Sequence, residues 1–135
     1  MNKELLVEKA KEMLAFSYTP YSNFKVGAAL LCRDGSIYTG CNIENASFGP
    51  SVCAERTAFF KAVSEGKKEF EAIAIVGGKN GVIEDFCPPC GVCRQVMTEF
   101  CEPDSFEIIL SNAEGEIRSY KLKEIMPLIF GKDRI

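Results

Sequence analysis

Phe70-Glu71-Ala72-Ile73-Ala74-Ile75-Val76-Gly77 decides the fold class. Its centre is apolar without alternation, the pattern of a strand covered on both faces, so helices are expected above and below it. Towards the C-terminus, Gly78 to Pro89 reads as a loop, and a short helix opens at Cys90 or Gly91 and runs to about Phe100. Phe106 to Leu110 is a further strand, Asn112-Ala113-Glu114-Gly115 a turn, Ile117 to Tyr120 a strand and Leu122 to Met126 a short terminal helix. Towards the N-terminus, Cys53 to Glu65 is helical and Gly66-Lys67-Lys68 ends it. Before it come a loop, Asn45 to Ser51, and a hairpin of Phe24 to Cys32 and Ile37 to Ile43 across Arg33-Asp34-Gly35-Ser36. The first helix is expected over Lys3 to Phe16, where Leu6, Ala10, Met13 and Leu14 recur at helical spacing, and Tyr18-Thr19-Pro20-Tyr21-Ser22-Asn23 breaks it. Helices that follow strands as crossovers predict an α/β fold, a three-layer α/β/α sandwich around one mixed five-stranded sheet. There are no repeats and no linker, so residues 1–135 are expected to form one domain.

A chain of 135 residues can build a core without disulfides. Its net charge of −3 offers no basic surface by default, which disfavours nucleic-acid partners. There is no histidine. That excludes Ser-His-Asp triads, Cys-His nucleophiles and His-ligated metals, and leaves acid–base work to Glu, Asp, Lys, Tyr or Cys. Seven cysteines stand against this: Cys32, Cys41, Cys53, Cys87, Cys90, Cys93 and Cys101. Met1-Asn2-Lys3-Glu4 lacks a secretory pattern, and no apolar run approaches the roughly 18 residues of a membrane span, so a cytoplasmic location is expected and no membrane partner. An odd number of thiols in a reducing compartment points to metal ligands or nucleophiles before a disulfide framework.

Cys53-Ala54-Glu55 opens one predicted helix and Pro89-Cys90-Gly91-Val92-Cys93 another. Helix starts favour thiolate through free N–H groups and the positive end of the dipole. If the two starts face each other, three thiolates converge. Zinc held by three protein ligands keeps an open fourth position, the catalytic arrangement. Cys87 leaves a second possibility, a closed four-thiolate site, although Pro88 and Pro89 stiffen the approach. A redox C-x-x-C is a third. Glu55, two residues after Cys53, is placed to take a proton beside the ligands. Cys32, Cys41 and Cys101 read as small buried hydrophobes.

These blocks resemble the zinc nucleoside-deaminase superfamily, with its H/C-x-E and P-C-x-x-C pattern. Tyr18-Thr19-Pro20-Tyr21-Ser22-Asn23-Phe24-Lys25-Val26-Gly27-Ala28-Ala29, Gly40-Cys41-Asn42-Ile43-Glu44-Asn45-Ala46-Ser47, Cys53-Ala54-Glu55-Arg56-Thr57-Ala58 and Cys90-Gly91-Val92-Cys93-Arg94-Gln95 are similar, in order, to the small homotetrameric cytidine deaminases. The resemblance implies one zinc per chain on Cys53, Cys90 and Cys93, with Glu55 as the proton shuttle and no ligand role for Cys87. It implies that Asn42 and Glu44 hold the ribose hydroxyls, that Phe24 lines the nucleoside pocket and that the Ala54 backbone contacts the pyrimidine carbonyl. Phe130 would stack on a base in a neighbouring subunit's site. Phe48 departs from the pattern, since many relatives carry Tyr there.

The implied reaction is hydrolytic deamination of cytidine and 2′-deoxycytidine to the uridines plus ammonia, a step of pyrimidine salvage, with Glu55 acting first as base and then as acid. If Asn42 and Glu44 extend the second hairpin strand, alternation puts both on one face with Ile43 opposite. Three thiolates on Zn²⁺ leave one net negative charge, and Arg56 and Arg94 are expected to offset it by donating to the sulfurs. Two other readings remain: a related small-molecule deaminase acting on a compound such as blasticidin S, and a non-catalytic zinc module.

Overall fold

A computed structural model describes residues 1–135. Its elements are α1 (Lys3–Glu12), a 3₁₀ turn (Met13–Phe16), β1 (Phe24–Cys32), β2 (Ile37–Cys41), α2 (Ala54–Ser64), β3 (Phe70–Lys79), α3 (Gly91–Phe100), β4 (Glu107–Ser111), β5 (Ile117–Lys121), α4 (Leu122–Ile125) and a terminal 3₁₀ turn, Lys132–Arg134. One five-stranded sheet runs in the order β2-β1-β3-β4-β5. β3 and β4 are parallel and every other neighbour pair is antiparallel, so the sheet is mixed as expected.

β3 is central, and its residues from Ala72 to Gly78 are buried. Its alternate side chains feed two separate cores. Ile73 and Ile75 pack with Phe59, Met97, Phe106 and Ile108 beneath α2 and α3, whereas Ala72, Ala74 and Val76 pack with Leu6, Val7 and Ala10 of α1. The uninterrupted apolar run thus meets a helical layer on each face, which completes the α/β/α sandwich. No helix is long and apolar enough to cross a membrane.

Two differences from the expected elements bear on the site. The first helix tightens into 3₁₀ geometry over Met13–Phe16. β2 stops at Cys41 because the Asn42 side chain then takes over the bonding to β1. Its Oδ1 accepts from the Val26 N–H at 2.9 Å and its Nδ2 donates to the Phe24 carbonyl at 2.7 Å. Ile43 bridges singly to Tyr18 and Val52.

α2 lies directly on β2 at Gly40. A Cβ there would stand 2.4 Å from the Ala54 carbonyl oxygen and 2.7 Å from the Ala58 nitrogen. The Thr57 hydroxyl closes the same contact by donating to the Cys41 carbonyl at 3.0 Å. The missing side chain therefore sets how closely the first turn of α2 approaches the sheet.

Candidate active site

Cys53 and Cys90 are the N-cap residues of α2 and α3, both with extended backbone, and neither side chain caps its helix. Their sulfurs are thus free to point outward. Cys93 lies one turn into α3, where the helical path brings it back beside Cys90. The three sulfurs lie within 4.8 Å of one another, and Cys53 and Cys90 are 3.6 Å apart. Three convergent thiol donors on two helix N-termini match the soft tetrahedral preference of zinc, so the residues fit that ion. Cys87 stands outside the cluster, at the wall of the same cavity, with its Sγ seated over Gly77 of β3. The four-thiolate alternative has no geometric support.

Thiolate character is uneven. The Cys53 thiol is brought down to about 5, chiefly by the hydrogen bond from Cys93 and further by the Arg56 guanidinium, against the opposing effect of burial. Burial pushes the Cys87 thiol up to about 12, and the charges of Glu55 and Cys53 add to the rise. Cys87 is therefore an inert, protonated neighbour.

Glu55 occupies the first turn of α2 and is 4% exposed. Burial raises its carboxyl to about 7; its own backbone N–H opposes the rise and the Cys53 charge reinforces it. A group of that strength can both accept and return a proton near neutrality.

Arg56 donates from Nη2 to the Cys53 sulfur at 3.3 Å, while its Nε is buried without a partner. Arg94 does not reach the sulfurs. Its Nε donates to the Pro89 carbonyl and its Nη1 to the Ile125 carbonyl, each at 2.8 Å. Helical geometry is the reason: Arg94 follows Cys93 by one residue, about 100° round the helix, and faces α4. The expected thiolate contact is thus replaced by a staple between the ligand loop and the C-terminal segment.

With Cys93 buried beside them, Cys53, Cys90 and Glu55 line a cavity of about 820 Å³. Asn42, Glu44, Ala54 and Arg56 line it, so the two polar groups flanking Ile43 do share a face although the strand has ended. Phe24, the first residue of β1, is 41% exposed and does not line it; Val26, Tyr21 and Phe48 supply the apolar wall. Phe48 is 89% exposed at the mouth. Phe130 lies outside its own chain's cavity and is 62% exposed, and its carbonyl accepts from Gln95 Nε2 at 2.8 Å. Cys32, Cys41 and Cys101 are buried free thiols, as read.

Tyr21 and Ser22 carried no assignment from the sequence. The available signal was the Pro20-Tyr21-Ser22-Asn23 turn: the backbone N–H groups of Tyr21 and Ser22 both donate to Glu44 Oε1, at 3.0 and 3.1 Å.

Residues 1–106 match the model of the cytidine and deoxycytidylate deaminase zinc-binding region. A cytidine deaminase of Sporosarcina psychrophila is 46% identical over 133 residues, covering 98% of this chain and 94% of its own. The crystal structure of a cytidine deaminase from Burkholderia pseudomallei superposes with a TM-score of 0.86 at 46% identity, covering 96% of this chain and all of that one. A blasticidin-S deaminase of Bacillus cereus is 32% identical over 132 residues, covering 95% of this chain and 91% of its own.

Proposed function

Since the chain belongs to the zinc-dependent cytidine and deoxycytidylate deaminase family, a family of hydrolytic enzymes, we propose that residues 1–135 act as one domain that converts cytidine and 2′-deoxycytidine to the corresponding uridines. One observation carries this reading: a cluster of three cysteine sulfurs opens, through Cys53 and Cys90, onto a cavity that the buried Glu55 also lines and whose wall offers Asn42 and Glu44.

Cys53, Cys90 and Cys93 would hold one zinc ion per chain. When bound, it supplies Lewis-acid activation of water at neutral pH. Asn42 and Glu44 bind the sugar hydroxyls and so present the pyrimidine to the floor. The Ala54 backbone contacts the ring carbonyl. Glu55 removes one proton from the attacking water and delivers it to ring nitrogen 3, then takes the second from the new hydroxyl on ring carbon 4 and delivers it to the departing amine, so that water and cytidine leave as uridine and ammonia. Arg56 offsets the negative charge of the thiolate set through Cys53. Arg94 holds the Cys90 loop through Pro89 and has no direct part in the charge balance.

Assembly as a homotetramer is part of the same reading. Phe48 at the cavity, and Leu128 and Phe130 outside it, are exposed apolar side chains of the kind that assembly covers, and the Phe130 carbonyl is held by Gln95. Seven free thiols fit a reducing cytoplasm, and a nucleoside substrate of this kind would place the reaction in pyrimidine salvage.

The test is the fall in ultraviolet absorbance with cytidine, followed on purified protein whose zinc content and sedimentation are measured together. Turnover with about one zinc per chain is expected, and Glu55→Gln should cut kcat by about 10³-fold with zinc retained. Zinc-loaded protein that deaminates blasticidin S but not cytidine would transfer the reading to that substrate, and an active monomer would remove Phe130 from it.

A further inference from the structure

The Tyr21–Ser22 turn does more than border the cavity. Asn23 adopts a left-handed conformation with φ of 59°, and its N–H donates to the Thr19 carbonyl at 3.0 Å. Asn tolerates that conformation better than most residues. The turn it closes aims two backbone N–H groups at one carboxylate oxygen, Glu44 Oε1. The other oxygen, Oε2, accepts from the Ser22 hydroxyl. That hydroxyl is itself committed, because the Phe24 N–H donates to Ser22 Oγ at 3.0 Å and leaves the proton to face Glu44. Glu44 is held from its own backbone as well, its N–H donating to the Tyr18 carbonyl at 2.9 Å.

A carboxylate has about four acceptor sites. Two on Oε1 and one on Oε2 are used within the chain, so one remains on Oε2, beside Ser22 in the cavity wall. Resting on the deaminase reading, we propose that Ser22 is a positioning residue for the nucleoside. Its hydroxyl fixes the Glu44 carboxylate so that a single acceptor site is turned towards a sugar hydroxyl. The same hydrogen bond leads the causes that hold Glu44 below the usual carboxylate range, with burial opposing and the two backbone donors and Lys25 helping.

Ser22→Ala should raise KM for cytidine about tenfold, the scale of one hydrogen bond to a charged group, and leave kcat within about twofold. The discriminating probe is 2′,3′-dideoxycytidine, which keeps the 5′-hydroxyl but lacks the 2′- and 3′-hydroxyls, the ring hydroxyls that Glu44 would accept from. Its KM should be unchanged by Ser22→Ala, so the preference for cytidine over it falls about tenfold, and Ser22→Thr should restore it. On zinc-loaded protein, ¹³C NMR titration of Glu44 should show its midpoint rising in Ser22→Ala. Equal losses for both nucleosides, or an unmoved Glu44 midpoint, would overturn the proposal. Wild-type protein that fails to turn over cytidine would defeat the deaminase reading instead, and the Glu44 titration would still decide the role of Ser22.

Discussion

Gly40→Ala tests how the sheet positions the catalytic helix. The added Cβ would lie 2.4 Å from the Ala54 carbonyl oxygen, 2.7 Å from the Ala58 nitrogen and 3.1 Å from the Thr57 Cβ. Two of these three atoms are helix backbone, so no rotamer change relieves the contact. Ordinary carbon contacts need roughly 3.3 Å or more, which requires the first turn of α2 to retreat by about 1 Å. That turn carries Glu55 and follows Cys53, whereas Cys90 and Cys93 belong to α3 and do not move with it. Overpacking of this kind costs about 1–3 kcal/mol, a fall in Tm of roughly 3–10 °C for a chain of this size. A misplacement of about 1 Å costs about 10²-fold in rate, so kcat/KM for cytidine should drop far more than the folded fraction at 25 °C. The assay is kcat/KM at 25 °C with Tm and zinc content on the same preparations. Gly91→Ala, whose Cβ meets nothing within 4 Å, is the matched control. A Gly40→Ala protein with wild-type Tm and kcat/KM within twofold of wild type would refute the argument that this contact fixes the site.

Three further substitutions address separate groups. Arg56→Ala removes the 3.3 Å donor to the Cys53 sulfur and should retain one zinc per chain while kcat falls about 10- to 100-fold; unchanged kinetics would take Arg56 out of the mechanism. Cys87→Ser should leave zinc stoichiometry at one per chain, because Cys87 stands outside the sulfur cluster, and loss of metal by elemental analysis would restore the four-thiolate site. Glu107→Gln should flatten the acid limb of Tm against pH. Burial raises the Glu107 carboxyl, but Lys121 and Lys3, at 3.2 and 3.3 Å, outweigh it and hold the group below its ordinary value. A depressed carboxylate stabilises the fold above its unfolded pKa and loses that contribution as pH falls through the folded one, so the two proteins should converge in acid.

The sheet was legible because β3 leaves no ambiguity: an unbroken apolar run needs cover on both faces, and Leu6, Val7 and Ala10 on one side and Phe59 and Met97 on the other provide it. The convergence of Cys53, Cys90 and Cys93 was legible for a related reason. Helix starts are marked locally by the change in periodicity, and a cysteine at such a start has a short list of uses. Arg94 was misassigned because adjacency in sequence is not adjacency round a helix; a shift of one residue turned it from the sulfurs to the Pro89 and Ile125 carbonyls. Phe24 stands outside the cavity lining of its own chain, and a residue at a strand start has no partner in sequence to say which side it faces.

The polar wall of the cavity shows where the limit lies. Asn42 and Glu44 could be placed on a common face by alternation alone, yet the face exists for a different reason, since β2 ends and Asn42 continues the bonding with its side chain. That substitution of an amide for a peptide depends on Phe24 and Val26, residues 18 and 16 positions away in the chain. The grip on Glu44 likewise comes from Tyr21 and Ser22, 23 and 22 positions earlier. Periodicity reads neighbours at two, three or four residues, and the groups that orient these two side chains lie beyond that range. The chemistry of the cavity floor is therefore carried by local pattern, whereas the aim of its walls is carried by side-chain bonds to the start of β1 and to the turn before it, which the hairpin pattern alone does not specify.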